Sequence, residues 1–134
     1  MRKSDPDPVL AWVNKAEEDY HVALALMRLR KRPVPASVCY HCQQCVEKYL
    51  KAFVVSHDED FPKVHDLLAL KDLCLRLDPL FPVDDTPLRL LTGYAIRIRY
   101  PGEHPTTEQT REAISAMKQV RRLLRKRLLP RELG

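Results

Sequence analysis

The sequence predicts an all-α protein, an up-and-down bundle of four to five helices in a single domain. Apolar residues recur every three or four positions along nearly the whole chain, and no stretch alternates as a strand does. Proline and capping residues divide this pattern into long segments joined by short connections, which favours antiparallel neighbours. The 134 residues are 45% hydrophobic and 31% charged, an ordinary composition for one globular domain. We expect the domain to span residues 1–134, with a core over about 8–129 and ragged termini.

Start and stop signals give the approximate helix limits. Asp7 followed by Pro8 is a cap with proline in the first helical position, so the first helix begins there and ends before Pro33. The second helix is expected over residues 35–57 and a short third one over 65–77. The fourth is expected to begin with Thr86 as its cap and to lose definition near Arg97. The last helix is expected over residues 107–129.

The second helix carries a cluster of three cysteines, Cys39, Cys42 and Cys45. This spacing begins an iron–sulfur motif, but Tyr49 stands where the next ligand is expected. Buried cysteine commonly behaves as a small apolar residue, so we expect core thiols, with no metal and no cofactor. The polar residues of this helix are expected on or near its opposite face: Gln44, Glu47, Lys48 and Lys51.

Several classes of function are excluded by composition. Three glycines cannot supply the Gly-rich loop of a P-loop NTPase or a dinucleotide-binding Rossmann domain. No uncharged apolar run approaches the roughly 18 residues of a membrane span, so no membrane association is expected. The N-terminus continues into a polar, proline-containing stretch where a signal peptide has an apolar region. We therefore expect a cytoplasmic protein.

Positive charge is concentrated near the C-terminus. Residues 111–131 contain eight Lys and Arg but one acidic residue, whereas the rest of the chain is weakly acidic. On the last helix, four cations are expected on the side away from the apolar face: Lys118, Arg121, Arg122 and Arg125. They are candidates for binding RNA or nucleotide phosphates, and the alternative is an ordinary solvated helix face.

The polar segment over residues 97–104 holds the candidate catalytic chemistry. Arg97, Arg99 and His104 flank a Pro-Gly turn just before the last helix. Arginine can hold phosphate oxygens, and histidine can move protons near neutral pH. The N-terminus of the following helix adds amide donors. The alternative is that these side chains cap the carbonyls of the preceding helix.

Four segments, taken in order, resemble the minimal HEPN domains of prokaryotes. Residues 12–23 match the family's opening helix, with its Trp, Lys-Ala and Asp-Tyr. Residues 42–52 resemble the hallmark second helix, in which two Gln precede Glu-Lys and Lys-Ala. Residues 63–67 match the His-Asp-Leu segment, and residues 99–101 match the Arg-Tyr-Pro segment. The resemblance covers about residues 10–128.

This resemblance implies a helical bundle that pairs as a homodimer. Active relatives are metal-independent endoribonucleases, and many are toxins encoded beside a small nucleotidyltransferase antitoxin. By similarity, Arg99 and His104 occupy the family's catalytic Arg-x4–6-His motif, with Arg97 as the alternative arginine. Tyr100 and Arg97 are then expected among the nucleotide- or RNA-binding residues.

Two positions differ from the family's pattern and leave a second interpretation open. Tyr100 follows Arg99 where active relatives often have a small polar residue. Thr106 stands where toxins silenced by AMP transfer have a tyrosine. The alternative function is a non-catalytic, nucleotide-binding adaptor that docks a partner nucleotidyltransferase.

Overall fold

The computed structural model describes residues 7–61, 63–97 and 101–129, with the backbone alone for residues 95–97. Within these ranges the chain forms α-helices and no strand, which confirms the all-α prediction. The helices are α1 (Pro8–Met27), α2 (Pro35–Ser56), α3 (Leu67–Leu77), α4 (Asp85–Arg97) and α5 (Thr107–Leu128). None of the helices in the described part is long and apolar enough to span a membrane.

Side-chain caps explain where α1 and α3 begin. Asp7 caps α1 as expected, because its side chain accepts the amides of Val9 and Leu10. The third helix begins two residues later than expected, because Asp66 is its cap and accepts the amide of Leu68. The expected cap at Thr86 is wrong, since α4 already begins at Asp85.

The early start of α4 has a structural cause. The carboxylate of Asp85 accepts a hydrogen bond from Lys71 of α3 at 2.6 Å and lies 3.5 Å from the guanidinium of Arg89. These contacts hold Asp85 in the first turn of the helix. Pro87 remains compatible with that turn, because amides there have no partner within the helix.

The second helix lies at the centre of the bundle and contacts each of the other four. Its buried apolar residues form the middle of the core, together with side chains from every other helix. This central position corrects the expectation that Glu47 and Lys51 lie on an outward face, because both are buried. A helix with neighbours on several sides has no broad face left for solvent.

Candidate RNA-binding and catalytic surface

His104 lies in an exposed loop directly before α5. Pro101 and Gly102 form a turn in which Gly102 has a φ of 87°, a left-handed conformation that glycine adopts without strain. Pro105 is buried and anchors the loop against the bundle, whereas the side chain of His104 is exposed. The imidazole is therefore held close to the N-terminus of α5 and is open to a ligand.

The N-terminus of α5 is closed by a capping box. The Thr106 hydroxyl accepts the Gln109 amide at 3.0 Å, and the Gln109 side chain accepts the Thr106 amide at 2.9 Å. The Thr106 hydroxyl is therefore engaged in capping the helix. The capping box fixes where α5 begins and thus the attachment point of the His104 loop.

Three of the candidate site residues are not described at the level of their side chains. Arg99 and Tyr100 lie outside the described residues, and Arg97 is described as the last backbone position of α4. Arg97 and His104 therefore flank the connection between α4 and α5. The catalytic and binding roles suggested for Arg97, Arg99 and Tyr100 stay predictions.

Exposed cations follow one face of α5 away from the His104 loop. Arg111, Lys118, Arg122 and Lys126 are all exposed, and their spacing of seven, four and four residues places them on the same side of the helix. With a rise of about 1.5 Å per residue, Lys118 and Lys126 lie about 16 and 28 Å along the axis from Thr107. We call these four residues the cationic track.

The cationic track borders a groove at the junction of α1 and α5. The groove has a volume of about 500 Å³ and is lined by one aromatic and five cationic side chains: Tyr20, Lys118, Arg121, Arg122, Arg125 and Lys126. A neighbouring groove of about 440 Å³ is lined by Arg111, Lys118 and Arg122, together with Ile114, Ser115 and Gln119. The four cations expected on the last helix therefore meet in one concave surface.

The four cations that the sequence predicted on this face, which are Lys118, Arg121, Arg122 and Arg125, divide into two kinds in the structure. Lys118 and Arg122 are exposed, and no carboxylate of the described residues lies within ion-pair distance of them. Arg121 and Arg125 are partly buried and both form ion pairs with Glu17 of α1. The paired arginines fix α5 against α1, while the exposed cations remain available for an anion.

Glu17 is the centre of this contact between α1, α2 and α5. Its carboxylate accepts two hydrogen bonds from Arg121, at 2.6 and 2.8 Å, and one from the Tyr49 hydroxyl at 2.6 Å. Partial burial acts to raise the pKa of Glu17, but the hydrogen bonds from Arg121 and Tyr49 outweigh it and leave the pKa below its ordinary value. The hydrogen bonds between Arg121 and Glu17 in turn raise the pKa of the Arg121 guanidinium, so both groups are charged.

The hallmark residues of α2 form a separate polar cluster. Glu47, which is almost fully buried, accepts hydrogen bonds from Lys51 at 3.2 Å and Gln43 at 3.4 Å, and lies 3.2 Å from the ring nitrogen Nδ1 of His65. The Gln43 amide also donates to the main-chain carbonyl of His65. The Lys51 ammonium lies 5.1 Å from the ring centroid of Phe61. These contacts connect α2 to the segment before α3 and give the Gln-x3-Glu-x3-Lys pattern a structural role.

The cysteines are part of the core, as expected. Cys39, Cys42, Cys45 and Cys74 are fully buried and unpaired. Burial raises the pKa of Cys39 to about 11, and burial also raises the pKa of Cys42. Among the described residues, no three His, Cys, Asp or Glu side chains form a group that could hold a metal ion.

Sequence reasoning missed three features of this surface. Arg111 was not singled out, although its seven-residue distance from Lys118 places both on one face. The roles of Glu17 and Tyr20 carried no sequence signal, because their partner Arg121 lies about a hundred positions away along the chain.

These observations define the protein as a small helical bundle that carries a cationic track and an exposed loop with a histidine. Comparison with protein families shows that residues 9–128 match the HEPN domain. The chain therefore belongs to the HEPN domain family, which confirms the resemblance drawn from the sequence. Searches of curated proteins and of solved structures find no significant match.

Proposed function

We propose that this HEPN protein binds RNA along the cationic track and cleaves it at His104 without a metal ion. The observation that carries the proposal is the line of four exposed cations along α5, Arg111, Lys118, Arg122 and Lys126, on the helix that directly follows the exposed His104 loop. Regularly spaced exposed cations suit a polyanion, because each can contact a separate phosphate.

The chemistry that suits His104 is attack of a ribose 2′-hydroxyl on the adjacent phosphate. A neutral imidazole would take the proton from the 2′-oxygen as it bonds to phosphorus, or an imidazolium would protonate the departing 5′-oxygen. The products are a 2′,3′-cyclic phosphate and a free 5′-hydroxyl. By family resemblance, Arg99 would hold the phosphate and stabilise its developing charge, with Arg97 as the alternative.

A homodimer would complete this site. The reaction needs a base and an acid, and each chain supplies one His104, so two copies facing each other would provide both groups. Exposed apolar side chains support pairing near the same end of the bundle. Leu29 and Tyr40 lie close to the α1–α2 connection. Pro105, next to His104, lines a small pocket together with residues of that connection.

The biological setting that the family resemblance supports is a toxin–antitoxin pair in the cytoplasm. In this setting the protein is the toxin component, and its partner is a minimal nucleotidyltransferase. The competing function is a non-catalytic adaptor that binds a nucleotide and docks the nucleotidyltransferase. The replacement of the modifiable tyrosine by Thr106, which is engaged in capping, is the observation that favours this second candidate.

Cleavage of a labelled RNA pool in the presence of EDTA tests the proposal. We expect His104→Ala to lower the rate by about 100-fold or more, the usual contribution of a general acid or base. His57→Ala is the matched control, because His57 is also exposed but lies at the C-terminal end of α2. It should cleave like the wild type. Light scattering on each variant should give the mass of a dimer.

Binding provides a second measurement. Lys118→Ala should lower RNA affinity and reduce the slope of log affinity against log salt by about one. Cleavage by His104→Ala at the wild-type rate would exclude the nuclease mechanism. A wild-type protein that binds a mononucleotide but never cleaves RNA would establish the adaptor function in its place.

A further inference from the structure

Tyr20 and Arg121 form a cation–π pair, and both side chains line the groove between α1 and α5. The guanidinium carbon of Arg121 lies 4.0 Å from the centroid of the Tyr20 ring, a close cation–π contact. Two hydrogen bonds to Glu17 fix the guanidinium, and Tyr20 is packed in part against the core. The pair is therefore held in place before any ligand arrives.

The charges around this pair indicate where the planar part and the anionic part of a ligand would lie in the groove. The Glu17 carboxylate occupies two of the guanidinium donors of Arg121, so this arginine has fewer donors left for a phosphate, but its guanidinium is still a planar group. The exposed Lys118 and Arg122 have no carboxylate partner among the described residues, and both line the same groove. An aromatic ring and a guanidinium held in place thus adjoin exposed cations that have no carboxylate partner among the described residues.

A nucleotide unit of single-stranded RNA has the matching chemistry. Its base is a flat aromatic group that can stack on tyrosine or on a guanidinium plane, and its phosphate is the anion for the neighbouring cations. The bases of a duplex are already stacked and paired inside the helix. An acidic peptide would use the cations but has no need of the planar surface.

We propose that the Tyr20–Arg121 pair is a stacking site for one unpaired base of the RNA that lies along the cationic track. This inference rests on the proposed RNA-binding function and adds a subsite to it. Lys118 and Arg122 hold the flanking phosphates, and Glu17 positions the guanidinium of Arg121. Bound RNA is therefore single-stranded at the groove.

The test compares two strands that differ in their bases alone. One is a short 2′-O-methyl RNA, which cannot be cleaved because its 2′-oxygen carries a methyl group. The other has the same backbone and length without bases. Fluorescence anisotropy should show that the wild type binds the strand with bases about tenfold more tightly, the scale of one stacked base. Tyr20→Leu should lower this difference several-fold without changing the salt slope.

Two further variants separate stacking from other effects. Tyr20→Phe keeps the ring and should bind both strands like the wild type. Lys118→Ala should lower the affinity for both strands by the same factor and lower the slope of log affinity against log salt by about one. Thermal melting of each variant establishes that the bundle is intact.

Each other outcome overturns the inference in a recognisable way. If folded Tyr20→Leu keeps the full preference for bases, the stacking site is wrong, although RNA binding along the track stands. If polyglutamate competes as well as the strand with bases, the groove is a surface for an acidic protein. If the wild type binds neither strand at low salt, the proposed RNA-binding function fails together with its subsite.

Discussion

Replacement of Glu17 by glutamine exchanges one carboxylate oxygen for an amide nitrogen, and this small change should destabilise the bundle strongly. The carboxylate holds together three helices through Arg121 and Arg125 of α5 and Tyr49 of α2. Glutamine preserves the shape of the side chain, but its carbonyl oxygen is the only strong acceptor that remains. Its amide group is itself a donor and cannot accept a hydrogen bond from the donors that contact the carboxylate. The two arginines then lose their counter-charge in a partly buried position.

The magnitude follows from the contacts. Hydrogen bonds to charged groups contribute about 1.5–3 kcal/mol each, and the side chain of Glu17 is 18% exposed, so solvent offsets part of the loss. We expect the free energy of unfolding to fall by about 2–3 kcal/mol. For a chain of this size that corresponds to a decrease in Tm of about 8–12 °C.

The effect of Glu17→Gln should also depend on pH, with a defined sign. Folding lowers the pKa of Glu17 below its ordinary value of 4.5, so its stabilisation is fully present above 4.5. That stabilisation is lost as the pH falls through the lower, folded-state pKa. Urea unfolding of the wild type and of Glu17→Gln, at pH 7 and at successively lower pH, measures the difference between their free energies of unfolding. We expect this difference to shrink below pH 4.5.

Glu18→Gln is the matched control for this prediction. It removes the same charge from the next position of α1, but Glu18 is exposed and forms no ion pair with the described residues. Its effect should stay within about 0.5 kcal/mol, as is usual for surface substitutions. Equal unfolding free energies for Glu17→Gln and the wild type at pH 7 would refute the reasoning, and so would a difference that is the same at every pH.

Two further predictions concern the capping of α5 and the core thiols. Thr106→Ala removes half of the capping box and should lower stability by about 1 kcal/mol, whereas Thr106→Ser should keep it; a Tm unchanged in Thr106→Ala would contradict the cap. The four buried cysteines should react slowly with a thiol reagent in the native protein and rapidly in denaturant. For Cys39, a pKa raised from 9.0 to about 11 corresponds to a roughly 100-fold smaller thiolate fraction, and fast native labelling would show that the thiol is accessible.

Much of the fold could be predicted from the sequence because its determinants are local. Asp7 and Pro8 start α1 through contacts within one turn, and the capping box of Thr106 and Gln109 starts α5 in the same way. Apolar spacing placed the cysteines of α2 in the core, since periodicity along a helix is set by residues three and four positions apart. The all-α class followed from such patterns, and the family followed from the resemblance of four short motifs.

What the sequence could not determine is which polar residues face another helix. Glu47 and Lys51 have the spacing of a solvated ion pair, yet they are buried because α2 is surrounded by its neighbours. Lys118 and Arg121 are three residues apart on the same basic segment, but Lys118 is exposed and Arg121 is fixed by Glu17. Helical periodicity specifies the direction of a side chain, whereas its partner depends on which distant segment packs there. His104 could be chosen from the sequence because it stands in a local polar turn before a helix. The Tyr20–Arg121 pair, by contrast, depends on the packing of α1 against α5.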